Sequence, residues 1–241
     1  KETLPTMYDL PSEDPEEPGL PDEFHILQPQ LLRETFHPVG YSVREIFVGT
    51  DLNVYYDVRH LQWYKRPDWF AVLGVSRLYE ERDLRLSYVR WQEGVDPFVV
   101  VELLSPGTEK EDLGQTLREV NQPPTKWEVY ERILKVPYYI VFDRYTDNLK
   151  VFVLQGDRYQ EQILEDSHFW IDSIKLGLGL WEGNYQGIHR QWLRWFDEGG
   201  NWLPTPTEQE QKASQKAQQE GERAERFAAK LRELGIEPDQ V

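Results

Sequence analysis

One apolar stretch constrains the fold more than any other feature of this sequence. It runs from Phe98 to Leu104, with Asp96-Pro97 before it and Ser105-Pro106-Gly107 after it. A short apolar run bounded by turn-forming residues predicts a strand buried on both faces, in the middle of a sheet. A single carboxylate, Glu102, interrupts the run. An ionised carboxylate there is costly unless it is paired with a cation or bound to a metal. Glu102 is therefore a candidate functional residue.

Two other residues could share that function. Asp68 follows Pro67 at the start of another predicted strand, and Lys126 lies in the first turn of the clearest predicted helix. Two carboxylates at neighbouring strand ends make a hard oxygen site, which suits Mg²⁺ or Mn²⁺. A metal held there would polarise a phosphodiester and activate water, and Lys126 would stabilise the developing negative charge.

Lys126 stands at an unfavourable position for a cation. Thr125 and Glu128 have the spacing of a capping box, which makes Lys126 the first helical residue. A cation at this positive end of the helix dipole costs about 0.3–1 kcal/mol. A residue that opposes the helix dipole at this position is a candidate for a functional role. Tyr130, four residues after Lys126, is predicted to lie on the same face of the helix.

Each of these residues also has an ordinary structural explanation. Aspartate is common in turns, so Asp68 could be a turn residue. Glu102 could be a structural carboxylate that is paired with a cation. A lysine in the first turn of a helix is usually solvated, so Lys126 could be a surface residue. The five histidines show no zinc-binding spacing, and no phosphate-binding glycine loop or serine-nucleophile motif occurs. Only the joint pattern favours a catalytic site.

The rest of the chain predicts one α/β domain with two appendages. Residues 1–24 form an acidic, proline-rich arm with eight acids and one base, residues 25–204 form the domain, and residues 205–241 form a polar helix. The segment from strand 98–104 through helix 126–134 to strand 138–143 reads as a βαβ unit with parallel strands.

Other elements follow from composition and alternation. A short helix is expected within 24–34, and a closing flap rich in tryptophan over 177–202. Strands are expected at 45–48, 52–56, 67–75, 84–92, 149–154 and 158–164, the first two as successive strands or a hairpin and the last two as an antiparallel pair.

Composition limits where the protein works and what it binds. The absence of cysteine excludes disulfides and thiolate metal sites, and no apolar run approaches the roughly 20 residues of a membrane span. We therefore expect a cytoplasmic protein without a membrane partner. The net charge of −16 predicts weak, salt-sensitive binding to any phosphate backbone.

The ordered motifs resemble those of the Uma-type restriction endonuclease family, which is expanded in cyanobacteria and is similar to the PD-(D/E)XK nuclease superfamily. The motifs are Pro67-Asp68, Val-Val-Val-Glu102-Leu-Leu-Ser105-Pro106, Asp112, Lys126-x-x-x-Tyr130 and Val136-Pro137-Tyr-Tyr139-Ile-Val-Phe-Asp143. The resemblance covers roughly residues 40–165.

This resemblance implies a mixed central β-sheet flanked by helices and a Mg²⁺- or Mn²⁺-dependent DNA endonuclease, with a homodimer expected by analogy. Asp68 and Glu102 would be the metal-binding catalytic carboxylates, and Ser105, Asp112 and Tyr130 would line the site. One departure stands out: Leu104 occupies the position of the superfamily lysine, so Lys126 would take over its role.

Two alternatives remain open from the sequence. The chain could be a non-catalytic interaction module on a nuclease-like scaffold that recruits a partner through its C-terminal helix. The nine tryptophans also prompt a third hypothesis, a carbohydrate enzyme that uses Asp68 and Glu102 as an acid/base pair. Neighbouring-strand acids with a lysine fit a metal site better.

Overall fold

The computed structural model of the chain describes residues 22–105, 109–116 and 122–233. The predicted acidic arm, residues 1–24, lies outside the described residues except for its last three. The chain divides into two compact units, Lys1–Leu203 and Pro204–Val241.

The first unit contains four α-helices, the two short 3₁₀-helices Val43–Glu45 and Asp172–Ile174, and twelve strands among its described residues. The helices are α1 Phe24–Thr35, α2 Arg90–Glu93, α3 Glu109–Asp112 and α4 Lys126–Glu128, which continues as a π-helical turn over Val129–Ile133. The strands are β1 Ile46–Gly49, β2 Val54–Tyr55, β3 Tyr64–Lys65, β4 Trp69–Leu73, β5 Tyr88–Val89, β6 Val99–Leu103, β7 Tyr138–Asp143, β8 Asn148–Gln155, β9 Arg158–Glu161, β10 His168–Ile171, β11 Leu176–Tyr185 and β12 Ile188–Phe196.

The largest sheet has six strands in the order β1-β4-β6-β7-β8-β9. Strands β6 and β7 run parallel, whereas the other neighbours are antiparallel, so the sheet is mixed as expected. Every residue of β6 is buried, and the strand lies between β4 and β7. This confirms the apolar run as a central strand and the βαβ reading of its connection to β7.

Both faces of this sheet are covered by other elements, and each face has its own core. Residues such as Trp69, Val101 and Phe142 pack with α1 and the three-stranded sheet β10-β11-β12. Residues such as Val100 and Tyr139 pack with the small sheet β3-β2-β5 and the helical turn after Lys126. Side chains alternate between faces along a strand, so Glu102 lies on the same face as Val100.

Two sequence predictions need correction. Residues 84–92 form only the two-residue strand β5 before the chain turns into α2, which Gly94 ends with a left-handed φ of 73°. Leu84 and Leu86 are 67% and 95% exposed, so their alternation does not mark a buried face. Of the two arrangements predicted for 45–48 and 52–56, the structure has successive strands, because β1 and β2 belong to different sheets and form no hairpin.

The second correction concerns the tryptophan-rich segment 177–202. It forms the long hairpin β11–β12 instead of a flap, and Trp192 and Trp195 are fully buried against α1 and the central sheet. The predicted flap is therefore a structural layer of the domain, because burying large aromatic rings there stabilises the fold.

The second unit contains α5, Pro206–Glu233, in agreement with the predicted polar helix. The backbone N–H of Thr205 donates to the Glu208 carboxylate, and Glu208 N–H donates to the Thr205 hydroxyl, which caps the helix start. None of its described residues is buried. No helix in the described part of the chain has the length and apolarity that a membrane crossing requires.

A buried amide fastens α1 to the edge strand β12. The Gln28 side chain donates from Nε2 to the Leu193 carbonyl at 2.8 Å and accepts from the Leu193 N–H at 2.9 Å. It thereby satisfies the outward backbone groups of a strand that has no further neighbour in its sheet.

Replacing Gln28 with leucine should therefore destabilise the fold well beyond the average mutation. Both Leu193 backbone groups would remain buried without a partner, at about 1–3 kcal/mol each. We expect the free energy of unfolding in urea to fall by about 2–4 kcal/mol. The control is Gln30→Leu on the same helix, because Gln30 is exposed and its side chain bonds Glu34 alone among the described residues. An equal loss in both variants would contradict this role of Gln28.

Candidate active site

The antiparallel ladder between β4 and β6 brings the two predicted carboxylates together. Trp69 is paired with Val101, which places Asp68 across from Glu102. The Asp68 N–H donates to Glu102 Oε2 at 3.4 Å, and the Leu103 N–H donates to Asp68 Oδ2 at 2.6 Å. Glu102 is fully buried, whereas Asp68 is half-buried. Asp68 is therefore the more accessible of the two.

Lys126 reaches this pair from the start of α4. Its Nζ lies 3.0 Å from Glu102 Oε2 and 2.9 Å from Asp112 Oδ1. The predicted capping box is present, with Thr125 Oγ1 accepting from the Glu128 N–H at 3.2 Å and the Glu128 carboxylate accepting from the Thr125 N–H at 3.0 Å. The box fixes the helix start and hence the point from which the Lys126 side chain departs.

Tyr130 completes the contacts of the buried carboxylate. Its hydroxyl donates to Glu102 Oε1 at 2.8 Å, so both oxygens of Glu102 have partners. Tyr130 lies within the π-helical turn that follows α4, a conformation often found at functional sites. Lys126 and Tyr130 thus approach Glu102 from the same helical segment, as the i to i+4 spacing predicts.

Asp112 is held in place by β7. The Tyr139 hydroxyl donates to the Asp112 carbonyl at 2.9 Å, and Asp112 is almost fully buried. Its neighbour Glu111 lies 3.3 Å from the Nζ of Lys65, a buried lysine of β3. Ser105 is buried two residues after the end of β6. The structure therefore gathers Asp68, Glu102, Lys126, Asp112 and Tyr130 in one place.

Leu104 is packed against the apolar cluster that contains Tyr130 and Tyr139. Its backbone N–H continues the ladder to Phe142 O at 2.8 Å. The position at which the sequence resemblance would place a lysine is therefore filled by an apolar side chain. The ammonium that contacts Glu102 comes from Lys126 instead.

Negative charge exceeds positive charge in this cluster. Burial raises the pKa of Glu102 well above its usual range, although Lys126 opposes the shift, and burial also raises the pKa of Asp68. Burial alone would lower the pKa of Lys126, but the carboxylates of Glu102 and Asp112 outweigh it and raise that pKa. The Lys126 ammonium therefore stays charged, while the carboxyl groups of Glu102 and Asp68 retain a proton to higher pH than usual.

The sequence interpretation missed a second cation, His25 of α1. Its Nδ1 lies 2.9 Å from Asp22 Oδ1 and its Nε2 lies 3.1 Å from the Leu103 carbonyl oxygen. Both partners only accept hydrogen bonds, so the protonated imidazolium form of His25, in which both ring nitrogens donate, satisfies both contacts. Burial would lower the pKa of His25, but Asp22 and Asp68 outweigh it and raise that pKa.

No spacing rule could have revealed this contact, because 78 residues separate His25 from Leu103. The only local signal is an acid three residues before a histidine at a helix start, which is common in helices that bind nothing. Tyr139 was noted only as part of a family motif, and its hydroxyl now has a defined partner in the Asp112 carbonyl.

The donor chemistry of this site fits a hard divalent cation. Among the described residues, no group of three or more His, Asp or Glu side chains is arranged to hold a metal by itself. Mg²⁺, however, is often bound through one or two carboxylates together with waters. Asp68 Oδ1 accepts no hydrogen bond from any described residue, which leaves it open as a ligand. The excess of negative charge supports the same conclusion.

Comparisons with known proteins agree with these motifs. The family Uma2, described as "Putative restriction endonuclease", matches residues 4–182. A crystal structure from Anabaena variabilis, described as a "putative nuclease belonging to DUF820", is similar with a TM-score of 0.32 and 12% identity. The similarity covers 54% of this chain and 62% of that chain, so less than two thirds of the relative is spanned. No curated protein matches.

Replacing Lys126 with methionine should destabilise the fold in a pH-dependent manner. The variant leaves Glu102 and Asp112 buried without their ammonium, which costs about 3–5 kcal/mol when the carboxylates are ionised. The pKa of Glu102 in the folded state would rise further above its unfolded value, and a carboxyl group with a raised folded-state pKa destabilises the fold as pH rises. We expect the free energy of unfolding, measured in urea, to fall by a large amount at pH 8 and by a small amount near pH 5.

The control is Lys175→Met, because Lys175 is 47% exposed and, in the described part of the chain, forms an ion pair with the exposed Asp172 alone. That variant should change stability by less than about 1 kcal/mol at either pH. A pH-independent loss in Lys126→Met would show that the ammonium does not compensate the buried carboxylates.

Proposed function

We propose, from the premise that this chain belongs to the Uma2 restriction endonuclease family, that it is a metal-dependent endonuclease that hydrolyses DNA phosphodiester bonds. The single observation that carries the proposal is the approach of the Lys126 ammonium to the buried Glu102 carboxylate, beside Asp68. This combination of hard oxygen ligands and a fixed cation supports phosphoryl chemistry.

Each residue would have a defined role. Asp68 and Glu102 would hold Mg²⁺ or Mn²⁺, which when bound lowers the pKa of a water ligand and polarises the phosphate. Lys126 would stabilise negative charge that develops on the phosphate oxygens. Tyr130 orients Glu102 through its hydroxyl, and Asp112 orients the Lys126 ammonium. Ser105, buried just beyond β6, would line the site.

DNA as the substrate is part of this proposal, as are a cytoplasmic location and a homodimeric state. The acidic composition predicts that binding weakens steeply with added salt, since only a local cluster of cations can oppose the net charge of −16. A metal bound between the carboxylates would reduce the repulsion at the point where the scissile phosphate must approach.

The two alternative hypotheses fare unequally. The carbohydrate hypothesis loses part of its support, because three of the nine tryptophans, Trp69, Trp192 and Trp195, are buried core residues. The interaction-module hypothesis keeps one supporting observation, the exposed helix α5. Partner capture that requires residues 208–241, from a protein that binds no Mn²⁺, would favour it.

Substitutions that remove the charge of each carboxylate but keep the size of its side chain test the proposal. Asp68→Asn and Glu102→Gln should each reduce cleavage of DNA by about 100-fold or more with Mg²⁺ or Mn²⁺. Tyr130→Phe, which removes only the hydroxyl that orients Glu102, should reduce it by about tenfold. Supercoiled plasmid, linear duplex and single-stranded circles are the substrates.

The matched control is Asp172→Asn, because Asp172 is an exposed acid whose side chain is 81% accessible. It should cleave like the wild-type protein. Failure of the wild-type protein to cleave any of the three substrates with either metal would overturn the proposal.

Metal binding should also release protons. Because the pKa values of Glu102 and Asp68 are raised, these two carboxyl groups stay partly protonated at pH values where ordinary carboxyl groups are ionised. Because a metal requires the ionised ligand, its affinity should increase as pH rises through that range. Calorimetric titration with Mn²⁺ in buffers of different ionisation enthalpy measures the number of protons released. Glu102→Gln should lower that number, and an unchanged value would contradict the assignment.

A further inference from the structure

His25 is a buried cation of the candidate active site to which the proposed mechanism gives no task. It is the second residue of α1 and is 2% exposed. Its Nδ1 lies 2.9 Å from Asp22 Oδ1, and its Nε2 lies 3.1 Å from the Leu103 carbonyl oxygen. Two acceptors favour the imidazolium form, in which both ring nitrogens donate. The contacts of His25 therefore place a positive charge inside the fold.

Leu103 connects this imidazolium with one of the two proposed metal ligands. The Leu103 carbonyl oxygen accepts from His25, and the Leu103 N–H donates to Asp68 Oδ2 at 2.6 Å. Burial would lower the pKa of His25, but Asp22 and Asp68 raise it. Burial raises the pKa of Asp68, and the charges of Lys126 and His25 oppose that rise. His25 and Asp68 thus stabilise each other's charged form.

The other charges on this side of the site are paired with each other. Arg144 Nη2 lies 2.6 Å from Asp22 Oδ2, so Asp22 is shared between Arg144 and His25. Asp51, whose backbone N–H donates to the Asp68 carbonyl at 3.4 Å, lies 3.7 Å from Arg66 Nε. Each of these two acids has an arginine of its own, which leaves the charge of His25 to act on Asp68.

Among the described residues, the centre of the site holds three carboxylates and two cations. The acids are Asp68, Glu102 and Asp112, and the cations are Lys126 and His25. With every group ionised, the excess is a single negative charge. A divalent metal would turn this excess into a single positive charge, and uncompensated charge is costly in a buried setting. One phosphate group of a substrate would restore the balance.

We infer that His25 is a positioning residue whose charge makes metal binding depend on a bound substrate phosphate. Through the Leu103 backbone it holds Asp68 in place, and it offsets part of the negative charge that would otherwise attract a metal on its own. Metal and phosphate each compensate the charge that the other brings, so each increases the affinity for the other by the same factor. The inference rests on the proposed endonuclease function and adds a condition to it: the metal is held firmly only when DNA is present.

The wild-type protein tests this coupling directly. Mn²⁺ binding to the full chain is followed by the electron paramagnetic resonance signal of free Mn²⁺, with and without thymidine 5′-monophosphate. This nucleotide has the phosphate but no internucleotide bond to cleave, and a protein-free titration corrects for the Mn²⁺ that it binds itself. We expect the nucleotide to tighten Mn²⁺ binding about tenfold. An unchanged Mn²⁺ affinity would overturn the inference.

His25→Gln separates the charge of the side chain from its place in the fold. Glutamine keeps a side-chain N–H donor but carries no charge. A metal ion carries two charges and a competing proton only one, so loss of the imidazolium favours the metal even though it also favours protonated Asp68. We expect Mn²⁺ alone to bind about tenfold more tightly to this variant, and the nucleotide to add less than in the wild-type protein. A purely structural residue would give the opposite sign, because a displaced Asp68 binds the metal less well.

The matched control is His37→Gln, because His37 is exposed just beyond the other end of α1. Its Mn²⁺ affinity and its response to the nucleotide should equal those of the wild-type protein. Weaker or unchanged Mn²⁺ binding by folded His25→Gln would overturn the inference. The melting temperature shows whether the variant is folded, and if it is not, the wild-type titration decides.

Plasmid cleavage is scored separately from metal binding. Coupled binding of Mn²⁺ and nucleotide by a protein that cleaves no DNA would overturn the endonuclease proposal and support the coupling. Cleavage by a wild-type protein whose Mn²⁺ affinity ignores the nucleotide would support the endonuclease proposal and overturn the coupling.

Discussion

The ion pair between Lys126 and Glu102 is the interaction on which the rest of the site depends. A fully buried carboxylate in a central strand is tolerated only if its charge is compensated, and the ammonium 3.0 Å away provides that compensation. The macrodipole cost of a lysine at a helix start, about 0.3–1 kcal/mol, is small beside the cost of an unpaired buried charge. Lys126 can occupy the helix start because its contact with Glu102 stabilises the fold by more than the helix dipole destabilises it.

Charge was the most informative signal in the sequence. Glu102 attracted attention as the one acid in an apolar run, and Lys126 as a cation at the wrong end of a helix; the structure brings them into contact. Asp68 could be placed beside Glu102 because neighbouring strands put their ends together. These inferences rest on short-range rules that hold wherever a strand or a helix start is correctly recognised.

What the sequence could not predict depends on long-range packing. His25 contacts a residue 78 positions away, so only the docking of α1 reveals it. The alternation at 84–92 resembled a strand because Leu84 and Leu86 are apolar, yet both side chains are exposed. The tryptophans of β12 are core residues because α1 covers them, with Gln28 satisfying the edge strand. Each feature needs the neighbouring element, which no local pattern specifies.

The position of the cation changes how the site responds to local opening. A lysine at position 104 would belong to the same strand as Glu102 and would remain beside it whenever the sheet is intact. Leu104 instead packs in the apolar cluster, and the cation, its partner Asp112 and the Tyr130 hydroxyl all come from the segment between β6 and β7. Movement of that segment would remove all three together and leave Glu102 without its cation, whereas His25 of α1 would still interact with Asp68. The central sheet therefore holds the two acids, and the crossover determines whether the charge of Glu102 is balanced.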